Sequence, residues 1–338
     1  MYVYEWIHVV RCPDTPARRM SGPRRFALLH DGGFTVCVAE ELCPLVDGWL
    51  PLNRQAIDGA PAPHGLHIDV ERDDAPFPHA DASETVLLRL GDVIAYTRGD
   101  DTIALRGPGA GGLVQRARTR ARIGVHGGMN PVTLAPTVYS MLTLSAALLL
   151  ARSGAALVHA GAVADQQGRA WLFAGDTHAG KTTTCVSLAD AGWRFLTDDQ
   201  VVLRMGAGGT ILVEGWPRRA HLDAGYQERA IAGHRVPVDL RERWETPWPG
   251  RASLFATVLP SVRPEVPTAA RRVPASEAFT ALVRQSPWLL ADGVSAPAIV
   301  ALLRAVALCP AFALDLGLDS YANGSLLASV LSTALERR

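Results

Sequence analysis

The chain carries 33 Lys and Arg residues, and a single one of them is lysine, Lys181. A compact ammonium reaches where a planar guanidinium fork does not fit, so the one retained lysine marks a position where arginine would not serve. Lys181 lies in Gly175-Asp-Thr-His-Ala-Gly-Lys-Thr182, which fits G-x-x-x-x-G-K-[ST]. This loop type holds nucleotide phosphates with backbone N–H groups, reaches the β/γ oxygens with its lysine and ligates Mg²⁺ with its Ser/Thr hydroxyl. Read on that pattern, Gly175, Asp176, Thr177, His178, Ala179, Gly180, Lys181, Thr182 and Thr183 contact the nucleotide. The apolar run Trp171-Leu-Phe-Ala precedes the match and a helix start follows it, the context the mechanism needs. His178 stands where a small residue is common; its imidazole either approaches the terminal phosphate or faces solvent on a tolerant loop.

Asp198-Asp199 follow Lys181 by 17 residues, room for the loop helix, its cap and a short strand. That strand is expected parallel and adjacent to the loop strand, and adjacent parallel strands place their carboxyl ends on the same sheet edge, so both aspartates are expected beside the phosphates. One could hold Mg²⁺ and the other accept a proton from an attacking hydroxyl, and the sequence does not say which is which. Thr182, Asp198 and Asp199 are thus the candidate metal residues. His159, in Leu157-Val-His-Ala-Gly161, sits in an apolar strand, where a satisfied core histidine competes with a site role. Gly215-Trp-Pro-Arg-Arg219 offers arginines on a proline-stiffened loop that could neutralise a transferring phosphoryl group, Arg218 among them, or form a solvated pair. Trp216 reads as packing.

These elements need a scaffold. Phe26–Leu29, Phe34–Val38, Leu66–Glu71, Val86–Leu90, Val93–Thr97 and Thr102–Arg106 read as strands, with turns at Asp31-Gly-Gly and Arg98–Asp101. Gly127–Pro131 reads as a boundary, giving a β-rich part over 1–130 and a second domain over 131–338. In the second, a helix is expected from about Pro136 to Ser153, a strand over Ala156–Val163, a strand over Ala170–Ala174, a helix over Lys181–Asp190 capped by Gly192, and a strand over Trp193–Thr197. Val201–Val213 reads as a hairpin, and residues beyond about 276 as mainly helical. Strand–loop–helix–strand is the unit of a parallel sheet, so the fold class is α/β: a phosphate-loop core on a parallel or mixed sheet with a smaller β-rich N-terminal domain.

Composition bounds the partners. Lys+Arg and Asp+Glu both number 33, and the pI is near 7.2. Such balance lacks the basic footprint of a nucleic-acid or anionic-membrane binder. Five cysteines without a C-x-x-C pair suggest neither a disulfide framework nor a zinc site, which fits a reducing cytoplasm. The Val138–Ala151 run is shorter than the roughly 20 apolar residues of a membrane span.

Together, His159-Ala-Gly161, the loop from Gly175 to Thr182, Gly192, Asp198-Asp199 and Gly215-Trp-Pro-Arg218 resemble the HPr kinase/phosphorylase superfamily, and particularly its HPr-kinase-like relatives. The resemblance covers about residues 137–225. It implies an ATP- and Mg²⁺-dependent kinase acting on a hydroxyl, often a serine, with His159, Asp198 and Asp199 at the reacting centre and Lys181 and Thr182 on phosphate and metal. His178 and Thr183 depart from the family's usual Gly-Val-Gly-Lys-Ser-Glu style, and the glycine-rich C-terminal segment used with a protein substrate is not recognisable. HPr is therefore not the expected acceptor. Relatives of similar layout tailor lasso-peptide precursors, and others phosphorylate free serine. The expected acceptor is a C-terminal serine of a precursor peptide, the alternative a small hydroxyl compound such as free serine. A nucleotide-binding regulator is the reading outside catalysis, and a homo-oligomer is an expectation from the same resemblance.

Overall fold

The computed structural model describes residues 23–29, 33–47, 50, 65–73, 84–98, 101–128, 130–218, 220–223, 235–238, 244, 250–291, 293, 295–321 and 323–336, with 221–223 and 235–238 as backbone alone. Asp31 and Gly32 of the Asp31-Gly-Gly turn and the centre of the Arg98–Asp101 turn fall outside them.

The first half is an eight-stranded sheet: β1 (Arg24–Ala27), β2 (Phe34–Val38), β3 (Leu66–Arg72), β4 (Val86–Leu90), β5 (Val93–Arg98), β6 (Thr102–Gly107), β7 (Ala110–Gln115) and β8 (Arg120–Val125), in the order β1-β2-β3-β8-β7-β6-β5-β4. A short helix, α1 (Cys43–Asp47), follows β2. Strands β2, β3 and β8 run parallel and the other neighbours antiparallel. β7 and β8 were not expected as strands: Gly111-Gly112 and the charged run Arg118–Arg122 hide their alternation. Gly112 has its reason in the pairing, since a Cβ there would come within 2.9 Å of the Arg122 carbonyl oxygen.

Helix α2 spans Pro131–Arg152 and begins a turn and a half before the expected start. Asn130 caps it, its side-chain oxygen accepting the Val132 N–H at 2.9 Å. Pro136 then lies inside the helix, in its second turn, where it leaves the Val132 carbonyl without an i→i−4 donor. This is the one helix among the described residues long and apolar enough to cross a membrane, and most of that stretch is buried inside the protein. Its apolar residues join one continuous core, with Phe34, Ile68 and Ile123 of the first sheet on one side and Leu157, Val201 and Val213 of the second on the other.

The second sheet contains β9 (Ala156–His159), β10 (Gly161–Ala164), β11 (Arg169–Phe173), β12 (Arg194–Thr197), β13 (Gln200–Met205), β14 (Ile211–Gly215), β17 (Arg251–Val262), β18 (Ala269–Arg272) and β19 (Ala311–Leu316). β15 (Ala220–Asp223) and β16 (Arg235–Val238) form a separate two-stranded ribbon, with Ala220 buried in the cluster that holds Cys185 and Leu188. Helix α3 (Lys181–Asp190) follows β11, and α4 (Ala275–Gln285), α5 (Ala296–Val306) and α6 (Gly324–Glu336) complete the chain. The expected strand over Ala156–Val163 is two strands broken at Ala160. β17 and β19 were not expected at all: Pro260 and a flanking Pro-rich sequence disguise β17, and β19 sits between helices. The structure also corrects the parallel-sheet unit. β11 and β12 both pair with β10, antiparallel to it, so they run in the same direction without being neighbours. The sheet is mixed, with β17 parallel to β11 and β19.

Side-chain alternation splits the sheet's two faces. On β11, Ala170 and Leu172 join the α2 side, whereas Trp171 and Phe173 pack with Cys185 and Leu188 of α3 and Leu327 and Leu331 of α6. The end of α3 is a Schellman turn: Gly192 at φ +91°, its N–H donating to the Ala189 carbonyl and the Trp193 N–H to that of Leu188.

The β10–β11 turn is built on Asp165, whose carboxylate accepts from Trp171 Nε1 at 3.0 Å, the Gln167 and Arg169 N–H groups and Arg169 Nε at 2.8 Å. Burial alone would raise its pKa, but the Trp171 and Arg169 hydrogen bonds carry it below the ordinary carboxylate value. A depressed native pKa means the unfolded chain binds more protons below the ordinary Asp range, so this stabilisation is present at neutral pH and lost as acid titrates the carboxylate. Asp165→Asn is expected to lower unfolding stability by about 2 kcal/mol at pH 7 and by less near pH 3, measured by urea titration of both proteins. An equal loss at both pH values would remove the charge from the explanation.

Candidate functional site

The loop Gly175–Gly180 leaves β11 and enters α3 at Lys181. Gly180 takes φ +96°, and a Cβ there would meet the Leu316 side chain at 2.5 Å, so both conformation and space require glycine. His178, at φ +67°, holds a left-handed conformation with an L side chain and is exposed. That places the notable loop residue where glycine is the easy choice, a strain of order 1 kcal/mol. No side chain caps α3, so its first-turn N–H groups and the positive end of its dipole face the loop mouth. Lys181 is 6% exposed and curls back, its Nζ donating to the carbonyls of Gly175 at 2.9 Å and Asp176 at 3.0 Å. Burial lowers its pKa, and the Arg218 charge adds to this, against Cys185, Asp176 and Asp198.

The aspartate pair reaches this mouth by a bend shared between two strands. β9 and β13 pair with Gln200 opposite His159, and β10 and β12 with Thr197 opposite Ala162. Between them both chains turn, at Ala160 on one and Asp198-Asp199 on the other. Gly161 permits the close passage: a Cβ there would lie 2.7 Å from Cys185 Sγ and 3.0 Å from the Asp198 carbonyl oxygen. β12 and β11 point the same way, so the aspartates do arrive at the loop's edge, although β10 intervenes.

The two aspartates then separate. Asp198, 4% exposed, accepts a hydrogen bond on Oδ2 from the Thr182 hydroxyl at 3.2 Å. Burial raises its pKa, moderated by Arg218, Thr182 and His159. Asp199 faces the other way: Oδ1 lies 3.1 Å from His159 Nε2, and Oδ2 is paired with Arg218. Burial pushes the His159 pKa down to about 4, with the Lys181 and Arg218 charges adding and Asp198 opposing. The imidazole is therefore neutral at pH 7, with Nε2 facing the Asp199 carboxylate oxygen.

Arg218 is placed by the segment after β14. A Cβ on Gly215 would fall 2.2 Å from the Leu196 carbonyl oxygen, so glycine lets β14 cross the end of β12. Trp216 donates its N–H to the Gln200 carbonyl at 2.9 Å, accepts the Thr197 hydroxyl on its own carbonyl at 3.3 Å, and buries its ring edge-on against Phe34 of β2 at 5.4 Å. Its role is packing, as expected. The Arg218 guanidinium then lies 5.3 Å above the ring of Tyr139. Arg219 is outside the described residues.

The structure thus gathers Lys181, Thr182, Asp198, Asp199, His159 and Arg218 at one mouth. Thr183 lies a residue further along α3, and Thr177 and His178 are exposed on the loop. Sequence reasoning missed Tyr139, which lies within the apolar Val138–Ala151 run, and the corner after α4. There Ser286 Oγ accepts the His159 N–H at 2.8 Å, Trp288 Nε1 donates to the Leu157 carbonyl at 2.7 Å, and Gln285 and Arg284 reach the Asp176 carboxylate. No spacing rule links residues more than 100 positions apart, and this corner carries no motif.

The Thr182 hydroxyl and Asp198 carboxylate are hard oxygen donors side by side, a pair that suits Mg²⁺, which keeps most of its waters. Among the described residues no group of three or more His, Cys, Asp or Glu side chains is arranged to hold a metal by itself.

No protein-family model and no curated protein matches the chain. Among solved structures it is similar to the Hpr(Ser) kinase/phosphatase from Coxiella burnetii, at 8% identity and a TM-score of 0.30, over 54% of this chain and 97% of that one.

Proposed function

We propose that the chain is a nucleotide-dependent kinase that transfers the γ-phosphoryl group of ATP to a hydroxyl. The observation that carries this is the division of labour at the loop mouth: Asp198 on the Thr182 hydroxyl, and Asp199 between His159 and Arg218. A site that only binds nucleotide has no use for the second carboxylate and its two donors.

In this reading the loop N–H groups and the α3 N-terminus hold the phosphates, and Lys181 exchanges its two loop carbonyls for phosphate oxygens. Thr182 and Asp198 hold Mg²⁺, which when bound neutralises charge on the phosphate oxygens. Asp199 is the proton acceptor. A carboxylate has about four lone-pair sites, so with His159 and Arg218 engaged it still accepts the acceptor's O–H. The hydroxyl oxygen bonds to the γ-phosphorus, the bond to the bridging oxygen breaks, its electrons leave with ADP, and the proton passes to Asp199. Neutral His159 fixes the carboxylate's orientation, and Arg218 offsets charge on the transferring group.

The acceptor we favour is a serine at the end of a peptide. Trp216, two residues from Arg218, packs on Phe34 of the first sheet, and the His159 and Asp199 side chains are partly exposed, which leaves an approach for an acceptor chain. Mass spectrometry after incubation with Mg²⁺ and ATP tests this on peptides ending in serine, free serine and small alcohols, with Lys181→Ala as control. A phosphate on the terminal serine supports the peptide reading, and phosphoserine from the free amino acid replaces it. Nucleotide binding with no phosphorylated product across the panel would favour a regulator.

A further inference from the structure

Asp176 is an anomaly in a loop that holds polyphosphate, because its carboxylate adds negative charge beside the ligand. Its surroundings answer that charge. Gln285 Nε2 hydrogen-bonds Oδ1, and an Arg284 guanidinium nitrogen lies 3.6 Å from Oδ2. Both side chains of the ion pair are mostly in solvent, 71% exposed for Arg284 and 63% for Asp176. An exposed pair of this kind is weak, so Arg284 changes partner at little cost.

The backbone beneath it is fixed. Arg284 and Gln285 end α4, the next residue is fully buried Ser286 on the His159 N–H, and Trp288 ties the same corner to Leu157. A fixed corner therefore presents an exposed cation over the loop. The end of the loop it overlooks is the Lys181 end, since Lys181 Nζ bonds the Asp176 carbonyl itself. In loops of this type the lysine reaches the β/γ oxygens, so Asp176 marks the terminal-phosphate side.

We infer that Arg284 is a phosphate-binding residue, parked on Asp176, that engages the terminal phosphate of a bound nucleoside triphosphate. The inference rests on the nucleotide reading of the loop and adds to it a ligand from the far end of the sequence. A guanidinium on a phosphate makes charge-assisted, bidentate bonds that outweigh the exposed carboxylate pair. It discriminates triphosphate from diphosphate, and Asp176 acts as competitor, not as support.

The test is equilibrium binding of the non-hydrolysable analogue AMP-PNP and of ADP, both with Mg²⁺, to wild type, Arg284→Ala, Arg284→Lys, Asp176→Asn and Lys181→Ala. Arg284→Ala is expected to lose about tenfold or more in AMP-PNP affinity while ADP stays within about twofold, and Arg284→Lys to recover part of the loss. Asp176→Asn is expected to bind AMP-PNP as tightly as wild type or a few-fold tighter, since it frees the arginine and removes a repelling charge. If the Arg284–Asp176 contact only shapes the loop, both variants weaken both nucleotides alike, and that overturns the inference. Unchanged AMP-PNP affinity in Arg284→Ala also overturns it, leaving the nucleotide reading intact. Wild type binding neither nucleotide any better than Lys181→Ala would overturn the reading and the inference together.

Discussion

Lys181→Ala is expected to lower nucleotide affinity by about a hundredfold and phosphoryl transfer by about a thousandfold or more, without unfolding the protein. The ammonium is nearly sealed off, holds the carbonyls of Gly175 and Asp176, and is the single lysine in the chain. Charge-assisted bonds in such a site contribute about 1.5–3 kcal/mol each, and losing two of them on phosphate accounts for the drop in affinity. Transfer falls further because the same charge faces the leaving group as the bond breaks. Lys181→Arg is expected to fail almost as badly, because a planar fork does not enter the space a compact ammonium fills. Titration with a fluorescent nucleotide reads the first effect, single-turnover product formation the second, and a thermal melt confirms the fold. Full transfer activity in Lys181→Ala would end the phosphate-loop reading.

The second large effect separates the aspartates. Asp199→Asn is expected to cut turnover by about a thousandfold while nucleotide affinity stays within about threefold, because it removes the proton acceptor and leaves the loop untouched. Asp198→Asn is expected to act through metal: the Mg²⁺ concentration for half-maximal activity rises by about tenfold, because the carboxylate beside Thr182 loses its charge. Rates against Mg²⁺ concentration for both variants decide this. If Asp198→Asn lost turnover at saturating Mg²⁺ while Asp199→Asn shifted the metal requirement, the two assignments would be exchanged; near-wild-type rates in Asp199→Asn would remove the base altogether.

How much of this was legible beforehand follows from how far apart in sequence each partnership lies. The loop, α3 and its Gly192 cap are local: strand, glycine turn, helix and Schellman closure are written within about twenty consecutive residues. The Asp198-Asp199 arrival at the loop edge was anticipated on a wrong premise, since β11 and β12 share direction through an antiparallel β10 between them. Periodicity reports a strand's existence and faces but not its neighbours, so the mixed pairing was invisible. β17, the strand on which β11, β14 and β19 all pair, was missed because Pro260 reads as a breaker, yet it sits there opposite Leu314. Which aspartate meets Thr182 depends on a bend matched across two strands, and Arg218's seat depends on Phe34 and Tyr139 from elsewhere in the chain. Such contacts carry no spacing signal.

Helix α2 has a consequence for how the protein is made. Its apolar surface is covered from both sides, by a sheet translated before it and a sheet translated after it. On the ribosome the first sheet is available as soon as β8 emerges, and it shields one flank of a segment greasy enough to pass for a membrane span. Any fragment that begins at α2 loses that early cover, and would expose the segment to chaperones, to other nascent chains or to a bilayer. The N-terminal sheet is thus the helix's first shelter during synthesis, whatever part it plays at the finished site.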